Sequence, residues 1–311
     1  MPSEMQEAKR ILICGSADEI PVSMLIAALE RRQAPFLLLE QGSLHENVKL
    51  RWQISDKGLS GMMKVGDIVF DIRDIQSVYH RFMEPNDYWG SDANKQVIEL
   101  SRSILQALMD LLDLLEARIV NRRRPMMSNN SKPYQAMMIR KVGFSIPDTC
   151  ITNDRQALEV FRSQHPELIY KSISAVRSIV SKLDEEGLKR LGDLRWLPTQ
   201  FQHMIEGFNV RVHVIGKVAF ATQIISESTD YRYASLKGHP SCFRKYSLTE
   251  DLKTACVKLA RICGLDFAGI DLIINPEKVY CLEVNPSPGY SYYEQATGQP
   301  IADALAAYLD F

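Results

Sequence analysis

The sequence predicts an α/β protein built as two or three lobes. Three observations carry this. The first 40 residues alternate strand, helix and strand; the pattern changes register near residue 120; and the last 110 residues return to paired strands closed by a helix. A chain of 311 residues also exceeds the usual size of a single core.

The front third justifies the first observation. "RILICG" (10–15) is a short apolar run that reads as a buried strand, "VSMLIAALERR" (22–32) has helical apolar spacing, and "PFLLLE" (35–40) is a second strand. A strand–helix–strand unit of this length predicts a parallel sheet. The first strand runs into Cys14-Gly15-Ser16 without a G-x-G-x-x-G, so a dinucleotide-binding domain is disfavoured. Residues 48–80 read as short strands with turns at Lys57-Gly58 and Val65-Gly66-Asp67, "SVYHRF" (77–82) as a further sheet strand, and 91–117 as a long helix.

A domain boundary is placed near 118–131. A short strand there enters a loop, a helix at about 132–142, and a strand at 148–152. Residues 167–183 read as two strands joined by a tight loop, with Lys171 ending the first. A lysine on a buried strand is costly unless its ammonium meets an anion. Residues 199–226 hold a hairpin with its turn at Gly216-Lys217. Residues 249–264 form a helix opened by Thr249 and closed by Gly264. Strands at 267–275 and 278–285 and a helix at about 299–309 complete the chain.

Composition excludes several functions. A formal net charge of -1 gives no global ground for nucleic-acid or membrane binding. The cluster Arg122-Arg123-Arg124 has no interleaved aromatics and reads as a solvated loop. None of the six cysteines forms a Cys-x-x-Cys pair, which suits reduced, buried thiols in a cytoplasmic protein. The opening residues lack an apolar signal-peptide core, and no apolar run approaches the ~18 residues of a membrane span. His80, His213 and His239 have no partners at metal-ligand spacing and read as structural or surface residues; Cys256 and Cys263 read as core.

The chemistry concentrates in "CLEVNPSPGY" (281–290). Residues two apart on a strand share a face, so Glu283 and Asn285 point the same way. Asp271 lies on the preceding strand, across a hairpin. Two carboxylates and a carboxamide without His or Cys form a hard oxygen site suited to Mg²⁺ or Mn²⁺. Mg²⁺ held by few protein ligands usually shares its shell with substrate phosphates, and Lys132 and Lys171 supply the positive charge that a polyphosphate needs.

This constellation resembles the ATP-grasp superfamily and, within it, the RimK-like carboxylate–amine ligases, over roughly residues 118–310. "GIDLIIN" with "LEVNPSPGY" is similar to the family's metal-binding strand pair, "NSKPYQAMMIRKVGFSIPDT" to its first nucleotide-binding segment, and "FQHMIEGFNVRVHVIG" to its hinge and following strand. The resemblance implies an ATP-grasp fold: an N-terminal pre-ATP-grasp α/β domain (1–118), a central lobe (119–203) and a C-terminal catalytic lobe (204–311). It implies ATP as cofactor, with Mg²⁺ or Mn²⁺ at Asp271, Glu283 and Asn285. Lys132 and Lys171 then meet its phosphates, the backbone of Gln202, His203 and Met204 reads the adenine edge, and Glu206 holds the ribose. Arg211 and Arg232, the latter in "TDYRYA", face the reacting phosphoryl or acyl group. The front third and residues 194–232 look most like the microviridin-type graspetide macrocyclases, which join acidic side chains of a ribosomal precursor peptide to Lys, Ser or Thr side chains. That likeness implies a peptide or protein substrate, a homodimer, and Arg81 as a substrate-carboxylate binder. Tyr290, with Tyr292 and Tyr293, either lines the acceptor pocket or packs the final helix.

One departure stands out. The loop after Lys171, residues 172–178, has no glycine, although relatives cover the triphosphate with a glycine-rich loop that lets backbone approach phosphate closely. Ser174 and Arg177 are the groups left there to meet phosphate. An ADP-forming ligase is therefore expected, on a peptide or else on a small amino acid or dipeptide. The competing class is a protein that binds ATP for assembly or regulation. The intact Asp/Glu/Asn set favours catalysis; the glycine-free loop favours its loss.

Overall fold

The computed structural model describes residues 10–90, 94–171, 180–226 and 241–311. The front sheet contains β1 (Arg10–Gly15), β2 (Phe36–Glu40), β6 (Ile75–His80) and β7 (Arg118–Val120) in the order β2-β1-β6-β7, and its pairs are all parallel. This is the sheet that the strand–helix–strand pattern predicts. Between β2 and β6 the chain makes an antiparallel meander of β3 (Val48–Ser55), β4 (Gly58–Val65) and β5 (Ile68–Asp71), turning where the Lys-Gly and Gly-Asp pairs stand.

The long helix spans Lys95–Leu114. It ends under an arginine: Arg122 donates to the carbonyl oxygens of Leu112, Asp113, Leu115 and Ala117 at 2.7–3.2 Å. A guanidinium satisfies the last helical carbonyls and complements their negative dipole. Arg123 pairs with Asp110 at 2.7 Å and Asp113 at 3.4 Å. The basic cluster read as a solvated loop is thus, at two of its three arginines, a fastening for this helix.

The central sheet is antiparallel, in the order β10-β9-β11-β8: β8 (Thr149–Thr152), β9 (Leu168–Lys171), β10 (Ser181–Lys182) and β11 (Thr199–His203). Its small core is Leu158, Leu168, Leu191, Leu194 and Phe201. The helix Arg155–Gln164 that covers it was not anticipated. Its residues are mostly polar, and its start is set by Asp154, whose side chain accepts from Gln156 N at 2.9 Å.

The third sheet has five strands. Its strands are β12 (Phe208–Ile215), β13 (Val218–Ile225), β14 (Cys242–Tyr246), β15 (Phe267–Ile274) and β16 (Val279–Asn285), in the order β14-β13-β12-β15-β16. β14 was also unanticipated. Alternation splits β12 cleanly: Val210, Val212 and Val214 are buried with Ile270, Leu272, Cys281 and Val284 against the helices Lys132–Val142 and Glu250–Ile262. Ile139 and Phe144 join that cluster, so the stretch expected to form the central lobe divides between two cores. Four cysteines are buried, Cys150 is half-buried and Cys242 is exposed.

The largest core joins the two ends of the chain. The helix Ile20–Arg31 packs against the final helix, Ile301–Leu309, with Phe267, Tyr290 and Tyr293 between them. Among the described residues no helix is long and apolar enough to cross a membrane.

Candidate active site

The register of three adjacent strands builds the site. Arg211 on β12 lies opposite Asp271 on β15, and Asp271 lies opposite Glu283 on β16. One step along the same face, His213 lies opposite Gly269, and Gly269 opposite Asn285. Two rows, Arg211–Asp271–Glu283 and His213–Gly269–Asn285, therefore share one face of the sheet, opposite to the valine face. The sequence placed Asp271, Glu283 and Asn285 together, and the structure does so.

Charge fixes the first row. Arg211 Nε lies 3.2 Å from Asp271 Oδ1, with side-chain exposures of 5% and 15%. A buried guanidinium is tolerable only with such a partner. Arg211 Nε also donates to Tyr293 Oη at 3.4 Å. Gly269 makes the room: a Cβ there would stand 2.8 Å from Arg211 Nη1 and 2.7 Å from Pro288 Cβ. His213 is fully buried, with Nε2 3.2 Å from the Gly289 carbonyl. Burial, and then the Arg211 charge, push its pKa down to about 3, so it is neutral at ordinary pH.

Side chains from earlier in the sequence hold the strand that bears Glu283 and Asn285. Gln135, buried in the helix Lys132–Val142, donates to Val284 O at 2.7 Å and accepts from Val284 N at 2.8 Å. β16 is an edge strand, and Gln135 supplies the pairing its outer edge lacks, between Glu283 and Asn285. Asn121 donates to Pro286 O and Phe267 O at 2.6 Å and accepts from Asp266 N at 2.8 Å. Asn285 Oδ1 accepts from Ser287 N at 2.9 Å. Gln135 and Asn121 were missed in the sequence. A buried amide has no local signature, and only the fold reveals what it faces.

The other expected residues are dispersed around this face. Lys171 is buried, and its Nζ donates to Gln202 Oε1 at 3.4 Å; Gln202 Nε2 in turn donates to Thr149 Oγ1 at 3.0 Å. Lys132 opens its helix next to the N-cap Ser131. His203, Met204 and Glu206 line a pocket of about 370 Å³ with Ile205, Glu167 and Tyr280. There, His203 N donates to Asp148 O and Met204 N to Glu167 O, both at 2.9 Å, while Gln202 is paired with strands on both sides. These backbone donors are engaged inside the lobe.

Arg81 is half-buried and engaged. Its Nε lies 2.5 Å from Glu19 Oε1, and its Nη1 donates to Ser287 Oγ, Ser287 O and Pro288 O at 3.1–3.3 Å. It lines a cleft of about 600 Å³ together with Arg102, Arg123, Met109, Met126 and Asn285. Tyr290 is fully buried in the core that includes the final helix, and its hydroxyl donates to Pro21 O at 2.5 Å. Ser174, Arg177, Arg232 and His239 lie outside the described residues.

Two carboxylates and a carboxamide on one face, beside an ion-paired arginine, can hold a hard cation. The family model of the RimK-like ATP-grasp domain matches residues 114–309. The chain belongs to this family. A "Probable alpha-L-glutamate ligase" of Pasteurella multocida is 31% identical over 184 residues, 56% of this chain and 58% of that protein. Its Haemophilus influenzae namesake is 23% identical over 76% of this chain and 82% of its own length. The chain thus spans little more than half the length of the Pasteurella relative.

Solved structures match over nearly the whole length. A RiPP-associated ATP-grasp ligase from Chryseobacterium gregarium, in complex with ADP and a leader and core peptide, superposes with a TM-score of 0.79 at 21% identity, covering 97% of this chain and 96% of the other. The macrocyclase MdnC from Microcystis aeruginosa, bound with precursor peptide MdnA, does so with a TM-score of 0.78 at 21% identity, covering 96% and 99%. These likenesses establish the fold, including the front sheet that the family model leaves out.

Proposed function

We propose that the chain is an ADP-forming ligase that activates a peptide carboxylate with ATP and joins it to an amine or hydroxyl. The observation that carries this reading is the Arg211–Asp271–Glu283 row with Asn285 beside it, on the face of an ATP-grasp sheet. The all-oxygen donor set fits Mg²⁺. Asp271, Glu283 and Asn285 would hold the ion, which would supply positive charge to offset that of the phosphates. Lys132 and Lys171 neutralise the phosphates. Arg211, with Arg232, steadies the transferring phosphoryl group and the acylphosphate. The carboxylate attacks the γ-phosphorus, ADP leaves, the acceptor attacks the acyl carbon, and phosphate departs. Positioning and charge suffice for the first step, without a protein nucleophile.

Adenine would occupy the pocket of His203, Met204, Ile205 and Glu206. Because the His203 and Met204 amides are engaged, its edge is read by the Met204 carbonyl and the Ile205 amide, and Glu206 takes the ribose. The carboxylate substrate enters by the cleft between the front sheet and Asn285, which Arg81 borders. A peptide is favoured because two structures that superpose over nearly the whole chain, with TM-scores of 0.79 and 0.78, hold leader, core or precursor peptides. The working unit is a homodimer in the cytoplasm.

Mass spectrometry of candidate peptides incubated with ATP and Mg²⁺ tests the reading. Loss of one water per new bond reports ester or amide crosslinking. Gain of an amino-acid residue reports the second reading, amino-acid addition, which the names of the sequence relatives favour. ADP release with free amino acids and none with any peptide would sink the peptide substrate.

A further inference from the structure

Two histidines converge away from the phosphate-facing row. Asp148 precedes β8, His165 caps the helix Arg155–Gln164, and His203 ends β11. One ligand atom from each lies within 4.8 Å of the others. His165 Nε2 is 3.6 Å from Asp148 Oδ2, and the His165 and His203 rings stand 4.7 Å apart, tilted by 35°. The backbone beneath them is already tied: His203 N donates to Asp148 O at 2.9 Å, Met204 N to Glu167 O at 2.9 Å, and His165 N to Phe161 O at 3.1 Å. Three separate elements thus present the three side chains at one place.

The donor set decides the ligand. Two imidazoles and one carboxylate suit borderline divalent cations such as Zn²⁺, Co²⁺ or Ni²⁺; Mg²⁺ prefers oxygen alone. Bond lengths of about 2.0–2.2 Å put tetrahedral donors roughly 3.4 Å apart. The His165–Asp148 pair is near that spacing. The Asp148 side chain, 71% exposed, is free to rotate in and close the rest. A plain His165–Asp148 ion pair would leave the approach of the second imidazole, His203, unexplained.

We propose that Asp148, His165 and His203 form a second metal site, for a borderline divalent cation such as Zn²⁺, with a fourth position open to water. It lies on the central sheet, whereas Asp271, Glu283 and Asn285 lie on the five-stranded sheet, so the two sites select different cations by ligand type. His203 also lines the pocket of about 370 Å³. An ion that pins its ring sets the shape of that pocket's mouth and hence its affinity for nucleotide; this consequence, unlike the site itself, rests on the function proposed above.

The test uses the full chain, stripped with a chelator and held in excess Mg²⁺. Titration with Co²⁺ should give one equivalent of bound ion with the intense visible absorption of a four- or five-coordinate centre, and Zn²⁺ should displace it. Asp148→Asn, at an exposed position that spares the fold, and His165→Ala should each weaken binding by at least about tenfold. Glu283→Ala should leave it intact. Co²⁺ that stays six-coordinate, or binding that is unchanged in both variants, would overturn the site. Zn²⁺ saturation without change in the KM for ATP would overturn its link to nucleotide.

Discussion

Gln135 holds the strand bearing Glu283 and Asn285 by the single residue between them. Gln135→Leu leaves Val284 N and O buried without their partner, at about 1–3 kcal/mol each. The fold has enough further contacts to survive, but the two expected ligands lose their fixed spacing. The Mg²⁺ concentration for half-maximal turnover should then rise by about tenfold or more, with circular dichroism unchanged; an unaltered Mg²⁺ dependence would reduce Gln135 to a packing residue. Glu283→Ala should abolish turnover in a folded protein, because it removes one of few charged ligands. His213 gives a pH test. Its folded pKa lies near 3 and its free value at 6.5, so between these values the unfolded chain binds the additional proton. Stability therefore falls as pH drops from about 6.5 toward 3, by up to about 1.4 kcal/mol per pH unit. His213→Gln should flatten that part of the acid limb in denaturant titrations, and an identical slope in the variant would contradict the assignment. Asp271, Glu283 and Asn285 were legible in the sequence because strand alternation and a hairpin fix where they point. Gln135, Asn121 and the His165–His203 pair were not, because each meets its partners only through long-range packing.

At the scale of elements, the hairpin of β15 and β16 bears Asp271, Glu283 and Asn285, and Gly269 within it leaves no room for a side chain. A Cβ there would strike Pro288 Cβ and Arg211 Nη1, both inside normal contact. Pro288 is in turn held through its carbonyl by Arg81. Gly269→Ala must therefore displace the buried guanidinium or the Pro-Ser-Pro loop. We expect a drop in turnover of two or more orders of magnitude, comparable to losing one preorganised charge-stabilising donor, about 3 kcal/mol in the barrier. Single-turnover ADP formation measures it; near-normal rates would mean that Arg211 has room to move and that the close fit is incidental. The elements with a clear period, such as β1, the hairpin β12–β13 and the helix Glu250–Ile262, were legible from sequence. The helices Arg155–Gln164 and Ser291–Thr297 and the strand β14 were not. The first is mostly polar, the second is a short segment to which no element was assigned, and "CFRKY" has too little apolar alternation to announce an edge strand.

At the scale of the molecule, the two ends of the chain make one core, and this sets what moves. Helices Ile20–Arg31 and Ile301–Leu309 bury Ile11, Val22, Leu25, Ile301, Leu305 and Leu309 together. Arg31 pairs with Asp303 at 2.7 Å, and Ser77 Oγ donates to Leu309 O at 2.8 Å. The front sheet and the five-stranded sheet are thereby fastened, and the cleft that Arg81 and Asn285 border is a standing feature of the fold. The central sheet has its own small core, so it is the part able to open separately. Hydrogen exchange should report this as two units: amides of β1, β6, β12 and β15 protected together, and those of β8, β9 and β11 exchanging by a cheaper opening. Tyr290→Phe distinguishes fastening from substrate contact. It removes the bond to the Pro21 carbonyl, which is buried, at a cost of about 1–3 kcal/mol. The protection of the first unit should fall by that amount, in β1 as much as in β15, while the KM for peptide stays unchanged. A raised KM with undiminished protection would return Tyr290 to the substrate pocket and separate the front sheet from the core to which it is here assigned.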